Sequence, residues 1–269
     1  TYIIKNGESS KSTKNLIDIL EFAAKNEYRR SDLIITFGGG VVGDIGALAA
    51  SLFLRGIDFI AIPTTFLSAI DSSVGGKTAV NLREGKNLCG TFYQPKRVFI
   101  DTDFLKTLSD YYFNDGLAEA IKYGMIKDKS IFEEIAKEKV DKNYKNLPSI
   151  IKKCLIIKKE LVKEDEKDKG IRQILNYGHT FAHAIEKKSD FKIRHGHAVA
   201  IGMEIMVKYF YKEFYDEFVK VLKNYNLYQE VDFSSKDIVN LCKIDKKSRK
   251  DKINIIVVKE IGFCEILNI

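Results

Sequence analysis

Apolar side chains recur every three to four positions across residues 12–25, at Leu16, Ile19, Leu20, Ala23 and Ala24. That period predicts an amphipathic helix, with Ser12 and Thr13 as possible caps. The pattern then changes. Leu33–Phe37 is a short β-rich run, Gly38–Gly40 turn it, and the Ala- and Leu-rich stretch Gly43–Phe53 reads as a buried helix. Ile57–Ile62 is a second β-like run ended by Pro63; Thr64 caps a short helix reaching Asp71, and Arg97–Ile100 is a third strand. Strand, helix and strand in that order predict a right-handed parallel crossover. Residues 72–95 hold Gly75, Gly76, Gly85, Gly90 and Pro95 and read as a long loop, a kind of segment that often carries function.

Past residue 110 the period is helical almost throughout, over 115–126, 129–139, 147–164, 172–187, 197–213, 215–225 and 235–242. One late β-like run, Ile253–Val258, is too short to build a sheet by itself. The expected fold is an α/β N-terminal nucleotide-binding domain, Rossmann-like with a parallel sheet, over 1–109. An all-α C-terminal metal- and substrate-binding domain follows over 110–269, the boundary falling near Leu108–Tyr111. A chain of 269 residues can bury two such cores.

Charge changes the picture little. The chain has 44 basic and 37 acidic residues, a net charge of +7, and much of its lysine lies along helical stretches such as 127–168 and 243–252. Solvated helix faces account for that, with a basic funnel for an anionic substrate as the alternative. Clustered arginine with interleaved aromatics is missing, which argues against a nucleic-acid partner. Cys89, Cys154, Cys242 and Cys264 are isolated, as expected in a reducing cytoplasm. No signal peptide and no membrane-spanning apolar run is found.

Three stretches carry candidate chemistry. In LIITFGGGVVGD, glycines between a strand and a helix let backbone N–H groups approach a pyrophosphate at the helix N-terminus. The spacing is not G-x-G-x-x-G, and a ligand-free tight turn has the same signature, so the turn alone leaves both readings open. Asp44 in that turn suits ribose hydroxyls or a helix cap. DSSVGGKTAVNLREGKN places lysines in a glycine-rich segment suited to anions, but Asp71 stands where a P-loop needs its first glycine, which excludes that motif. All four histidines, His179, His183, His195 and His197, fall within residues 179–197. His179 and His183 are one helical turn apart, and spacing alone selects them as a ligand pair. With Glu119 of GLAEAIKYG as the carboxylate, the set has the composition of a catalytic zinc site with an open position.

These stretches jointly resemble one family. NGESSK, GGGVVGD, FLRGIDFIAIPTTFLSAIDSSVGGKTAVNLREGKN, GLAEAIKYG, RQILNYGHTFAHAIE, RHGHAV and the late DKK are similar to the 3-dehydroquinate synthases, within the sugar phosphate cyclases, and span nearly the whole chain. The resemblance implies catalytic NAD+ and one divalent metal, Zn2+ or Co2+. It implies conversion of 3-deoxy-D-arabino-heptulosonate 7-phosphate to 3-dehydroquinate and phosphate by oxidation, phosphate elimination, reduction, ring opening and aldol closure. It implies Glu119, His179 and His195 as metal ligands, replacing His183, which passes to substrate binding and proton transfer with Asp168, Lys122 and Asp71. Substrate would lie on Arg55, Asp71, Lys77, Asn87, Lys122, Lys158, Arg172, Asn176, His183 and Lys246. NAD+ would lie along Asn6, Gly7, Glu8 and Lys11, then Gly40, Val41, Val42, Gly43 and Asp44, then Thr64, Thr65, Lys77 and Lys86, and finally Phe104, Leu105, Lys106 and Thr107. A homodimer is the expected assembly.

Two positions depart from the family pattern: His197 where a glutamate is usual, and Asp168 where a longer glutamate is usual. Relatives also carry several dozen residues ahead of NGESSK, which contribute the first strands of the nucleotide domain. The competing expectations are another sugar phosphate cyclase such as 2-deoxy-scyllo-inosose synthase, a metal-dependent polyol dehydrogenase, or an inactive fragment lacking those strands.

Overall fold

The computed structural model describes residues 1–190, 192–229 and 254–268. The chain divides into two compact units, Thr1–Leu108 and Ser109–Ile269. Lys246, Cys242 and the expected helix at 235–242 lie outside the described residues.

The first unit opens with a 3-10 turn, Glu8–Ser10, and helix α1, Thr13–Lys25. Ser12 is its cap, its hydroxyl accepting from the Asn15 N–H. Strand β1 (Leu33–Gly38) leads into helix α2 (Gly40–Leu52), and β2 (Asp58–Pro63) returns parallel to β1, Leu33 opposite Asp58 and Gly38 opposite Pro63. The helix therefore starts three residues before its expected beginning at Gly43. Glycine's entropic cost is a helix-interior cost, so glycines in the first turn do not keep it out of the helix.

Thr65, not Thr64, starts the short helical segment after Pro63. Its hydroxyl accepts from the Ser68 N–H at 3.2 Å, while the Thr64 N–H donates to the Gly38 carbonyl at 2.9 Å. The expected long loop at 72–95 is instead an antiparallel hairpin of β3 (Lys77–Leu82) and β4 (Gly85–Phe92). Val80, fully buried, packs with Leu16, Ile45, Leu48 and Ala49. That alternation was hidden by the glycines, and one of them is required by the pairing: a Cβ on Gly90 would lie 1.9 Å from the Thr78 carbonyl oxygen. The third parallel strand, β5, is only Arg97–Val98. It sits beyond β2, which is the middle strand of the three described, and Ile35 and Phe37 of β1 are more than half exposed.

The second unit is built round helix α3, Asp110–Ile126, in which Asp115 to Ile126 are buried without a break. The run includes Asp115, Glu119 and Lys122, charged groups that need partners inside the protein. Around it lie α4 (Lys129–Lys137), α5 (Leu147–Glu164), α6 (His179–Lys188), α7 (His195–Phe210) and α8 (Tyr215–Asn224). Of these, α4, α5 and α7 pack directly on α3. The helix expected over 172–187 is broken: a 3-10 segment, Ile171–Asn176, ends before Gly178, whose φ of 77° is left-handed. Any side chain there would be strained and would meet Met203 at 2.9 Å. The unit is mostly helical rather than all-α, because β6 (Asn254–Glu260) and β7 (Phe263–Asn268) form an antiparallel hairpin. Among the described residues no helix is long and apolar enough to cross a membrane.

Candidate functional site

In the second unit three residues from three helices converge. Glu119 on α3 is fully buried, and His179 and His195 are the first residues of α6 and α7. Each offers one ligand atom, all within 4.8 Å of one another. His179 Nε2 lies 3.6 Å and His195 Nε2 3.3 Å from Glu119 Oε1. His183 stands beside the group, its ring centroid 5.8 Å from that of His179. The pair chosen by spacing alone, His179 with His183, is thus not the pair that meets the carboxylate. One helical turn sets the two rings edge to face, but Glu119 faces the starts of α6 and α7.

The partners of each ring suit a cation. His179 Nδ1 lies 3.1 Å from the Tyr177 carbonyl oxygen, which only accepts, so Nδ1 carries the proton. Burial, reinforced by the Lys122 charge, lowers the His179 pKa to about 3, so the ring is neutral. Its Nε2 lone pair then points at a carboxylate oxygen, and two electron-rich atoms at that distance call for a cation between them. His195 lies between two carboxylates, Glu119 and Glu186, the latter 3.5 Å from its Nδ1. Burial opposes its charged form, yet the hydrogen bonds to Glu119 and Glu186 raise its pKa to about 10. A carboxylate on the far nitrogen orients a metal-binding imidazole and raises its basicity.

Among its described residues the same unit buries three cations. Lys122, one turn along α3, pairs with Glu119. Lys122, Lys158 and Arg172 are all at most 5% exposed. Arg172 Nη1 donates to the Glu166 carbonyl at 2.6 Å, and the loop before it hangs on Asp165, which accepts from the Lys169, Gly170 and Arg172 N–H groups. Those bonds hold the Asp165 carboxyl below its usual range, the Lys169 N–H chiefly. Asp168 in this loop has a left-handed φ of 57°, and Asn176 ends the 3-10 segment. His197 is not one of the three converging residues; its ring lies tilted against Tyr111, centroids 4.2 Å apart, and its Nδ1 faces Asp115.

The first unit assembles a different group. The Lys11 ammonium, almost fully buried, pairs with Asp44 and donates to Asn87 Oδ1. Asn81 ties the same region together: its Nδ2 donates to Glu8 at 2.8 Å, its Oδ1 accepts from the Asn87 N–H at 3.0 Å, and its N–H donates to the Lys11 carbonyl at 2.8 Å. Residues expected along a cofactor, Glu8, Lys11 and Asp44, therefore form one network with Asn87. A small open cleft lies beside them, lined by Gly38, Gly39, Gly43, Asp44, Lys77 and others. At Gly43 an added Cβ would meet no atom from outside its own helix turn within 4 Å, so the space over the first turn of α2 is open. Phe104 packs edge-on against Phe37, Leu105 is fully buried, and Lys106 pairs with Asp103. Arg55 has a left-handed φ of 69° and, with Asp71 and Lys77, belongs to this unit.

The sequence reading passed over Asp115, Glu186, Asn81 and the Tyr177 carbonyl. For the first two a signal existed: Asp115 precedes Glu119 by four residues and Glu186 follows His179 by seven, both helical same-face intervals.

An α/β unit with an open glycine turn, joined to a helical unit presenting a carboxylate and two imidazoles, has the architecture of the sugar phosphate cyclases. A solved 2-deoxy-scyllo-inosose synthase complexed with carbaglucose-6-phosphate, NAD+ and Co2+ matches with TM-score 0.83 and 27% identity, covering 98% of this chain and 78% of that one. The 2-epi-5-epi-valiolone synthase of Streptomyces hygroscopicus subsp. jinggangensis, at 24% identity and TM-score 0.91 over 99% of this chain and 78% of its own, shares the fold. Residues 1–115 match the 3-dehydroquinate synthase N-terminal family model and residues 116–248 the C-terminal one. The 3-dehydroquinate synthase of Clostridium acetobutylicum is 47% identical over 98% of this chain and 77% of its own length. This chain belongs to the 3-dehydroquinate synthase family.

Proposed function

We infer that the protein is a 3-dehydroquinate synthase, a phosphate-eliminating lyase. It converts 3-deoxy-D-arabino-heptulosonate 7-phosphate to 3-dehydroquinate and phosphate with catalytic NAD+ and one divalent cation, Zn2+ or Co2+. The observation that carries this reading is the convergence of Glu119, His179 and His195 within 4.8 Å, in a chain of this family. Those three residues are the metal ligands. When bound, the cation supplies Lewis-acid polarisation and NAD+ a reversible hydride sink.

The remaining roles fall to the chain's own side chains. Lys122, Lys158 and Arg172 are buried cations, and a dianionic phosphate with a carboxylate suits them because Coulomb attraction strengthens away from water. On the family's pattern the further substrate-binding candidates are Arg55, Asp71, Lys77, Asn87, Asn176 and Lys246. His183, beside the metal ligands but not among them, takes and returns the proton lost from carbon next to the oxidised centre, assisted by Asp168. The N-terminus of α2, over Gly40–Asp44, receives the cofactor's pyrophosphate. Asn6–Lys11, Thr64, Thr65, Lys86 and Phe104–Thr107 line the rest. Residues 1–109 are then the NAD-binding domain and 110–269 the metal- and substrate-binding domain. We assign the enzyme to the cytoplasm as a homodimer; Cys89, Cys154 and Cys264 form no disulfide, as that compartment favours.

Phosphate release by the chain as given tests the reading. Release from the heptulosonate phosphate that depends on added NAD+ and Zn2+ is the expected result. Release from glucose 6-phosphate in its place would move the assignment to 2-deoxy-scyllo-inosose synthesis. Release from neither, with no rise in melting temperature on adding NAD+, would reject both.

A further inference from the structure

We propose that Asp115 is the positioning residue that fixes His195 against Glu119, setting the separation of the donor atoms in the metal-ligand triad. The inference rests on the metal reading given above. Asp115 and Glu119 lie one turn apart on α3, so the two carboxylates share a helix face. Asp115 Oδ1 accepts from the Gly196 N–H at 2.7 Å, the His197 N–H at 3.3 Å and His197 Nδ1 at 3.3 Å. Its Oδ2 accepts from Arg194 Nε at 3.4 Å. Residues 194, 196 and 197 bracket His195 on both sides, so the backbone carrying one ligand hangs from the helix carrying another.

The backbone geometry fits that role. The first N–H groups of any α-helix need acceptors from outside the helix. In α7 the capping residue, Arg194, supplies no side-chain acceptor; a carboxylate from α3 does so instead. Its negative charge is favourable at a helix N-terminus. The approach is as close as peptides allow, since a Cβ on Gly196 would lie 1.8 Å from the Asp115 carbonyl oxygen. Asp115 is itself 2% exposed, so water does not compete for the bonds. With the acceptor gone, the Gly196 and His197 N–H groups lose their buried partner, the first turn of α7 shifts, and His195 Nε2 moves off Glu119.

Co2+ titration of the whole chain, followed by its visible d–d absorption, tests this without any turnover measurement. Asp115→Asn keeps an Oδ1 acceptor and should bind Co2+ within about threefold of the parent, whereas Asp115→Ser and Asp115→Ala should weaken binding about 10- to 100-fold and shift the band. A role in folding alone would lower the melting temperature and leave the band of bound Co2+ unchanged. Should Asp115→Ala not fold, Asp115→Ser carries the comparison. Parental affinity and band in the serine or alanine variant overturns the proposal, as does an asparagine variant that loses as much as the serine one. Glu119→Gln is run alongside. If it binds Co2+ as the parent does, the metal reading falls and this proposal with it. If it alone loses Co2+, the metal reading stands and only the role of Asp115 is rejected.

Discussion

The two units build their candidate sites from opposite materials. In the second, the Glu119–His179–His195 group is made of side chains, and its meaning lies in atoms that are present. In the first, the glycine turn before α2 is made of backbone, and its meaning lies in atoms left out, as at Gly43. The lesson is that the two should fail differently. Removing a side chain empties the first kind of site and leaves the fold standing; adding a methyl group obstructs the second.

The largest expected effect is on the side-chain site. Glu119→Gln or His179→Ala should abolish stoichiometric metal by elemental analysis and lower turnover about a thousandfold, about 4 kcal/mol of barrier. His183→Ala should retain metal and lose about 100- to 10,000-fold in kcat, the usual range for a general acid–base. Metal loss in the His183 variant would return it to the ligand set and break the contrast between helical spacing and convergence.

Next comes a glycine inside the side-chain site. Gly196→Ala drives a Cβ into the Asp115 backbone and should cost about 1–3 kcal/mol, read from the urea midpoint, because overpacking of a tight contact does so. Gly43→Ala is the sharpest probe of the other region. Its Cβ meets nothing and its position is helical, so the fold should gain up to about 1 kcal/mol. NAD+ affinity, by fluorescence titration, should fall. A variant that melts higher and binds NAD+ as well as the parent would show that the opening over α2 is not the cofactor's.

Much of the fold was legible in the sequence. The spacing over 12–25 and 147–164 located α1 and α5, and the helical character past residue 110 holds. Other parts depended on partners far along the chain. The β3–β4 hairpin reads as loop because Gly90 is dictated by contact across strands rather than by a turn. The break at Gly178 is set by α7, where Met203 and Val199 leave no room for a side chain. The site divides the same way. Residue type singled out the histidines, but not which of them meet Glu119, and the Asp115–Gly196 bond joins residues 81 positions apart.

Strand β1 carries a consequence of its own. Ile35 and Phe37, two positions apart, project from one face of the sheet, and Phe37 meets Phe104 there. A polar replacement of Phe37 will therefore loosen the 3-10 turn after β5 before it unsettles the strands themselves.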